Sequence, residues 1–278
     1  MAGTPVNLPD FKKRYGSWAL VVGGSDGLGA EFARAIAASG VNCVLVARRK
    51  PVLDALAEEL RADHGVEVRT ASIDLENEDA ARALGTAVAG LDLGLVVFNA
   101  GAEASGQSLL SQPFSTWKAI MRRNVDTLTE ALYNFSGYFK ARKRGGMIVI
   151  GSHASFAGCG RAAIYTATKG YAHNFAESMW AELKPHGVDV LSFVFAVADT
   201  ATLRAVLARK NVPLESVNAT PPADLAHAAL NALPNGPTYV WGYAADSDDT
   251  MRGANIRRLT VEAHTNGMVA YYGEEDEA

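Results

Sequence analysis

Cysteine is scarce, with only Cys43 and Cys159 in 278 residues. Cys43 lies in an apolar strand pattern and Cys159 in a glycine-rich stretch, so neither a disulfide framework nor a metal site is expected. A reducing cytoplasm suits such a chain. Long hydrophobic runs are missing too. The longest, around Val190 to Ala198, is too short to span a bilayer, and Met1 to Arg14 lacks an apolar signal core, so no membrane anchor is expected. There is no excess of positive charge. The formal net charge is −4, and tight basic runs include Arg48-Arg49-Lys50 and Arg142-Lys143-Arg144. Nucleic acid, which needs a concentrated basic surface, is therefore not an expected partner. The second run reads as a solvated helix end before a Gly145-Gly146 turn.

What is present suits an enzyme. Hydrophobic residues make up 49% of the chain, charged residues 20%, and 26 positions are glycine. That length and composition suffice for one large α/β domain with a buried core, expected over residues 1–278. Its acidic end, about residues 273–278, reads as a frayed tail.

Short apolar runs alternate with helical stretches. Trp18 to Val22 ends in glycines and is followed by a helix over Glu31 to Ser39. Val41 to Ala47 and Val66 to Ile73 are strands, each followed by a helix, over Pro51 to His64 and Asp79 to Ala89. Leu93 to Asn99, Met147 to Gly151 and Val188 to Phe195 continue the strands, with helices over Trp117 to Lys140 and Tyr165 to Lys184, where Pro185 stops the chain's helical run. A last strand, Thr238 to Trp241, follows the Asn235-Gly236-Pro237 turn. Strands without internal alternation are what a parallel sheet covered on both faces requires. The expected fold is a single doubly wound Rossmann fold with about seven parallel strands and a small substrate lid.

Gly23-Gly24-Ser25-Asp26-Gly27-Leu28-Gly29 falls at the first strand-to-helix junction, where bare backbone N–H groups and the helix dipole can receive a pyrophosphate. The second strand ends in Ala47-Arg48-Arg49. An acidic residue there would favour NAD, whereas arginine accommodates a 2′-phosphate, so NADP(H) is favoured over NAD(H), with Arg48 as the phosphate contact and Arg49 as a helper. Asp26 adds a negative charge of open direction.

Tyr165-Thr-Ala-Thr-Lys169 places a phenol and an ammonium on one face of a helix. A cation beside a phenol stabilises the phenolate, which brings a general acid toward working pH. Ser152, after the apolar run Met147 to Ile150 and a glycine, should stand at the carboxyl end of a strand, where ligands bind in open α/β sheets. Ser155 in the same loop is a rival hydroxyl with a shorter spacing to Tyr165. His153 and Glu103 are either substrate contacts or ordinary loop residues, and Phe175 and Trp180 read as helix packing or a subunit interface.

Over roughly Trp18 to Thr200 the chain resembles the short-chain dehydrogenase/reductase family, through Gly23-x-x-x-Gly27-Leu28-Gly29, Asp74-Leu75, Asn99-Ala100-Gly101, Asn124-Val125, Ser152 and Tyr165-x-x-x-Lys169. The resemblance implies that Tyr165 is the catalytic acid/base and that Ser152 bonds the substrate oxygen. It implies that Lys169 binds the nicotinamide ribose and lowers the pKa of Tyr165, and that Asn124 holds a water linking Lys169 to solvent. Asp74 and Leu75 would line the adenine site, and Asn99, Ala100 and Gly101 would support the sheet and adenosine ribose. Ser25 belongs to the phosphate turn, while Ala198 and Thr200 would flank the nicotinamide, Thr200 bonding its carboxamide. A homodimer or homotetramer is implied as well.

Two positions depart from the family pattern. Phe195-Ala196 stands where Pro-Gly is common, which leaves open how the following backbone runs, and Val22 replaces the usual threonine before Gly23. The first part of the chain also resembles the branch that includes hydroxysteroid dehydrogenases and long-chain 3-oxoacyl reductases. Leu203, Val206, Leu207, Val212 and Leu214 give the lid, about residues 200–220, apolar faces that either meet a hydrophobic substrate or pack the lid. The expected activity interconverts a ketone and a secondary alcohol. Rival readings are another enzyme on this scaffold, such as an epimerase, or a cofactor-sensing protein with weak catalysis.

Overall fold

The computed structural model describes residues 11–101 and 106–272. Its sheet runs β3-β2-β1-β4-β5-β6-β7, with β1 Trp18–Val22, β2 Asn42–Ala47, β3 Val68–Ser72, β4 Leu93–Phe98, β5 Gly145–Ile150, β6 Val188–Val194 and β7 Thr238–Val240. All neighbouring strands are parallel. The helices are α1 Phe11–Tyr15, α2 Gly27–Ala38, α3 Lys50–His64, α4 Ala80–Ala87, α5 Phe114–Met121, α6 Thr127–Arg142, α7 Ala163–Leu183, α8 Ala201–Lys210, α9 Pro222–Ala232 and α10 Ala254–Tyr272.

Every residue of β1, β4 and β5 is buried, because helices cover both sheet faces. Val21, Ile148 and Phe193 pack with Phe32, Leu53 and Leu225 of α2, α3 and α9. On the other face, Leu20, Phe98 and Met147 pack with Leu84, Leu132 and Trp180 of α4, α6 and α7. The chain leaves β1 toward β2 and returns past it to β4, so a crevice opens at the carboxyl ends of β1 and β4, where ligands bind in such sheets.

Several expectations need correction. The third strand is not buried along its length: Arg69 and Ser72 are exposed because β3 lies at the sheet edge. The helix expected over Trp117 to Lys140 is broken by a wider π turn at Arg122–Asp126, which contains Asn124. Gly145-Gly146 is not a turn but the start of β5; the turn is made by Lys143, in the left-handed region at φ 51°. Nor is the adjacent basic run merely solvated, since Arg142 and Arg144 both bond the Asp92 carboxylate.

The sequence pattern also missed α1, α9 and α10. Arg257 of α10 donates to Glu177 of α7 (2.8 Å), and Thr238 of β7 donates to the same carboxylate (2.6 Å). These bonds tie the last helix and the last strand to α7.

Candidate active site

The glycine turn after β1 is built by backbone contacts. A Cβ on Gly29 would lie 2.0 Å from the Gly23 carbonyl, so only glycine permits α2 to start this close to the turn. Asn99, after β4, donates its Nδ2 to that carbonyl (3.0 Å) and pins the turn to the central strand. The turn's amides are less bare than expected. Gly23 and Gly24 both donate to Val46 O (2.8 and 3.0 Å), and Gly27 donates to Asp26 Oδ1 (2.7 Å), which caps α2. The first-turn amides of Leu28 and Gly29 precede any intrahelical acceptor and can meet an anion.

A cleft of about 250 Å³ opens beside this turn, lined by Gly23, Ser25, Arg48, Asp74, Leu75 and Ala100 among others. Arg48 and Arg49 are exposed at the end of β2. Arg49 reaches Asp26 (3.2 Å) and Ser25 (3.5 Å), so the Asp26 charge faces Arg49. Asp74 accepts from the Glu76 amide (3.1 Å) in the turn after β3.

The candidate reactive groups gather at the carboxyl ends of β4 and β5. Ser152 follows β5 and caps a short turn, its Oγ accepting from the Ala154 amide (3.2 Å). Ser155 Oγ turns back to accept from the Ser152 amide (3.5 Å). Tyr165 and Lys169 lie one turn apart on α7, with Lys169 Nζ 5.9 Å from the Tyr165 ring centroid. Lys169 is only 6% exposed and donates to Ile150 O (2.8 Å) at the end of β5. Burial first, and then the nearby Arg123 cation, push its pKa down to about 8.

Asn124 is buried beside Lys169 because the π turn swings it inward. Its Nδ2 donates to Thr168 Oγ1 (3.1 Å) and to Gly101 O (3.5 Å). Gly101 has φ +133°, and a Cβ there would sit 3.1 Å from Asn124 Oδ1 and 3.3 Å from Lys169 Nζ. Ser152, Tyr165, Lys169 and Asn124, with the Asn99-Ala100-Gly101 segment, thus share one end of the sheet next to the cleft.

The segment after β6 folds back over the glycine turn. A Cβ on Gly27 would lie 2.8 Å from Thr200 Cγ2, and Ala198 bridges to Thr220. Thr200 caps α8 by accepting from the Leu203 amide (3.2 Å). Phe195 packs against the core, and its carbonyl accepts from the His153 amide (3.1 Å). His153 packs between Phe156 and Tyr243, at centroid distances of 6.3 and 6.1 Å, and burial followed by the Arg252 charge lowers its pKa. Glu103 lies outside the described residues. Trp180 is a core residue, and Phe175 stacks on Tyr171 at 5.8 Å.

The sequence reading missed Arg123. It lines the cleft, donates Nε to Asn124 Oδ1 (3.2 Å) and pairs with Glu76 (2.6 Å). Its position just before Asn124 was the only available signal, and that says nothing of a partner 47 residues away.

A family model described as short chain dehydrogenase matches residues 17–211. A 7beta-hydroxysteroid dehydrogenase of Clostridium sardiniense is 30% identical over 84% of this chain and 88% of its own length. A very-long-chain 3-oxoacyl-CoA reductase of Podospora anserina is 35% identical over 70% of this chain, a match spanning 58% of that longer protein. The solved structure of a short-chain dehydrogenase from Sphingobium yanoikuyae in complex with NADPH superposes with TM-score 0.75 at 25% identity, over 94% of this chain and 98% of that one.

Proposed function

The chain belongs to the short-chain dehydrogenase/reductase family, and from that premise we propose that it is an NADP(H)-dependent oxidoreductase interconverting a ketone and a secondary alcohol on a hydrophobic substrate. The observation that carries this reading is the gathering of Ser152, Tyr165, Lys169 and Asn124 at one end of the sheet, beside a cleft that has guanidinium groups at its rim.

The residues fit a phosphorylated dinucleotide. Arg48, with Arg49 beside it, suits a 2′-phosphate, and no carboxylate ends β2 to repel one. Gly23, Ser25, Asp26, Gly27, Leu28 and Gly29 would form the pyrophosphate turn, where the first-turn amides of Leu28 and Gly29 are left to meet negative charge. Asp74 and Leu75 would line the adenine site, Asn99, Ala100 and Gly101 would support the adenosine ribose, and Tyr165 and Lys169 would hold the nicotinamide ribose. Ala198 and Thr200 would flank the nicotinamide, with Thr200 bonding its carboxamide. When bound, NADP(H) supplies or accepts the hydride.

In reduction, Tyr165 donates its phenolic proton to the substrate oxygen. Ser152 Oγ donates a second hydrogen bond to that oxygen as negative charge develops on it. The Lys169 ammonium favours the resulting phenolate, and its bond to Ile150 O holds it at a fixed distance from the ring. Asn124 joins the β4 end to α7 and links this relay toward solvent. Oxidation of the alcohol runs the same proton transfers backwards.

Support for a hydrophobic substrate comes from α8. Leu203, Val206 and Leu207 share one face of that helix, yet the chain itself fully buries no residue of α8. The relatives named for hydroxysteroids and 3-oxoacyl-CoA thioesters point the same way. Self-association into a homodimer or homotetramer belongs to the same reading, supported by the exposed Tyr133 and Tyr171 on α6 and α7. So does a cytoplasmic location, where both free cysteines stay reduced.

The test is absorbance at the nicotinamide band, with NADPH and NADH in parallel, against ketosteroids, 3-oxoacyl thioesters, aromatic ketones and small sugars. Preferred turnover of an apolar ketone with NADPH is the expected result. Activity confined to sugars would remove the hydrophobic substrate, and tight NADPH binding without turnover would favour a sensor.

A further inference from the structure

Arg123 stands where two parts of the site meet. Its Nη1 pairs with Glu76 at 2.6 Å, in the turn that follows Asp74, and its Nε donates to Asn124 Oδ1 at 3.2 Å. The Arg123 side chain is 17% exposed and that of Glu76 30% exposed, so solvent screens this pair less than one on the open surface. An Nε–H donor fixes which end of the Asn124 carboxamide is oxygen. The amide NH₂ is thereby turned toward Thr168 Oγ1 and Gly101 O, and both of these bonds are present.

We propose that Arg123, held by Glu76, is a positioning residue of the proton relay: it locks the Asn124 carboxamide and sets a second positive charge beside Lys169. The inference rests on the oxidoreductase reading for its meaning in turnover, while its electrostatic part concerns Lys169 alone.

Arginine keeps its charge at any working pH, so the effect has a definite sign. A fixed cation disfavours the protonated lysine and favours the tyrosine phenolate, lowering the proton affinity of both. Among the described residues, the titratable or charged groups facing Lys169 are Tyr165 on its own helix and Arg123 on the π turn, with Glu76 behind Arg123. The strand ends contribute the Ile150 carbonyl and Gly101. Burial alone would also depress the Lys169 pKa, so the two causes must be separated by changing charge without opening the site.

Three variants of the full chain separate them: Arg123→Met, Arg123→Lys and Glu76→Gln. The readout is the Lys169 titration, followed by NMR of its Cε and Nζ in lysine-labelled protein with and without NADP⁺, and assigned by loss of the signal in Lys169→Arg. Arg123→Met should raise the Lys169 midpoint by about one pH unit. Arg123→Lys, which keeps the charge, should leave it near the wild-type value. Glu76→Gln removes the anion behind the guanidinium and should shift the midpoint down. General loosening of the site would move Arg123→Met and Glu76→Gln upward together, toward an ordinary lysine.

In steady-state reduction, the alkaline limb of kcat should move up in Arg123→Met, whichever group of the Tyr165–Lys169 pair titrates first. An unchanged Lys169 midpoint in Arg123→Met, or shifts of one sign in both charge-removing variants, overturns the proposal. If no ketone is turned over by any form, the oxidoreductase reading fails while the NMR result still decides the role of Arg123. Should Arg123→Met not fold, the downward shift in Glu76→Gln and its absence in Arg123→Lys carry the same decision.

Discussion

At the amino ends of the strands, charged side chains are matched to one another. Asp92 receives Arg142, Arg144 and both the amide and hydroxyl of Ser17, and Asp189 receives Arg14 and the Tyr15 hydroxyl at 2.8 Å each. At the carboxyl ends of the same sheet, Lys169 bonds a backbone carbonyl and Asn124 bonds a hydroxyl and a carbonyl. Exceptions there include Arg123, which Glu76 holds in place, and Arg49, which faces Asp26. One end satisfies its charges internally and fixes β1, β4 and β6 against α1 and α6. The other keeps a buried ammonium to which, among the described residues, no carboxylate is bonded, which leaves its charge to act on a neighbour. On the proposed reading, that contrast separates stability from chemistry within a single sheet.

Reversing a charge at the reactive end should have the larger effect. Arg48→Glu puts a carboxylate where a 2′-phosphate is proposed to sit, so kcat/KM with NADPH should fall about 10–100-fold. With NADH it should hold or improve; equal losses with both cofactors would place the 2′-phosphate elsewhere.

Removing a charge at the matched end should instead change stability and leave turnover nearly alone. Burial pushes the Asp92 pKa up, but the bonds from Arg142 and Ser17 outweigh it and bring the carboxyl down to about 2. The folded value lies below the unfolded one, so its stabilisation is complete above about pH 4 and is lost as pH falls toward the folded value. The Asp92 side chain is 41% exposed, which limits the effect. Asp92→Asn should cost about 1–2 kcal/mol, or a few degrees in Tm, at neutral pH. Thermal melts at pH 7 and at pH 3 check this, because the gap between the two proteins should narrow in acid. A large loss of kcat with unchanged Tm would break the division between the two ends.

How much could be read in advance follows the same division. The β1-turn-α2 unit and the Tyr165–Lys169 pair are written in contiguous spacing, as glycines at a strand end and two residues one helical turn apart. The parallel sheet was legible because β1, β4 and β5 are apolar without alternation. The grip of Arg142 on Asp92 joins residues 50 apart in sequence, and that of Arg123 on Glu76 joins residues 47 apart. No local pattern encodes such contacts. The π turn hid for another reason: its one extra residue leaves helical composition unchanged while turning Asn124 inward. The helix α9 escaped notice because alanine dominates its apolar face, yet Leu225 and Leu230 seat it firmly against α2.

The most direct test of the central claim pairs turnover and binding in Tyr165→Phe. Loss of the phenolic proton should reduce NADPH-dependent ketone reduction by about 10²–10⁴-fold, while NADPH affinity, read by fluorescence, stays close to that of the unaltered protein. Retained turnover in Tyr165→Phe would contradict the account, because the proton would then come from another group.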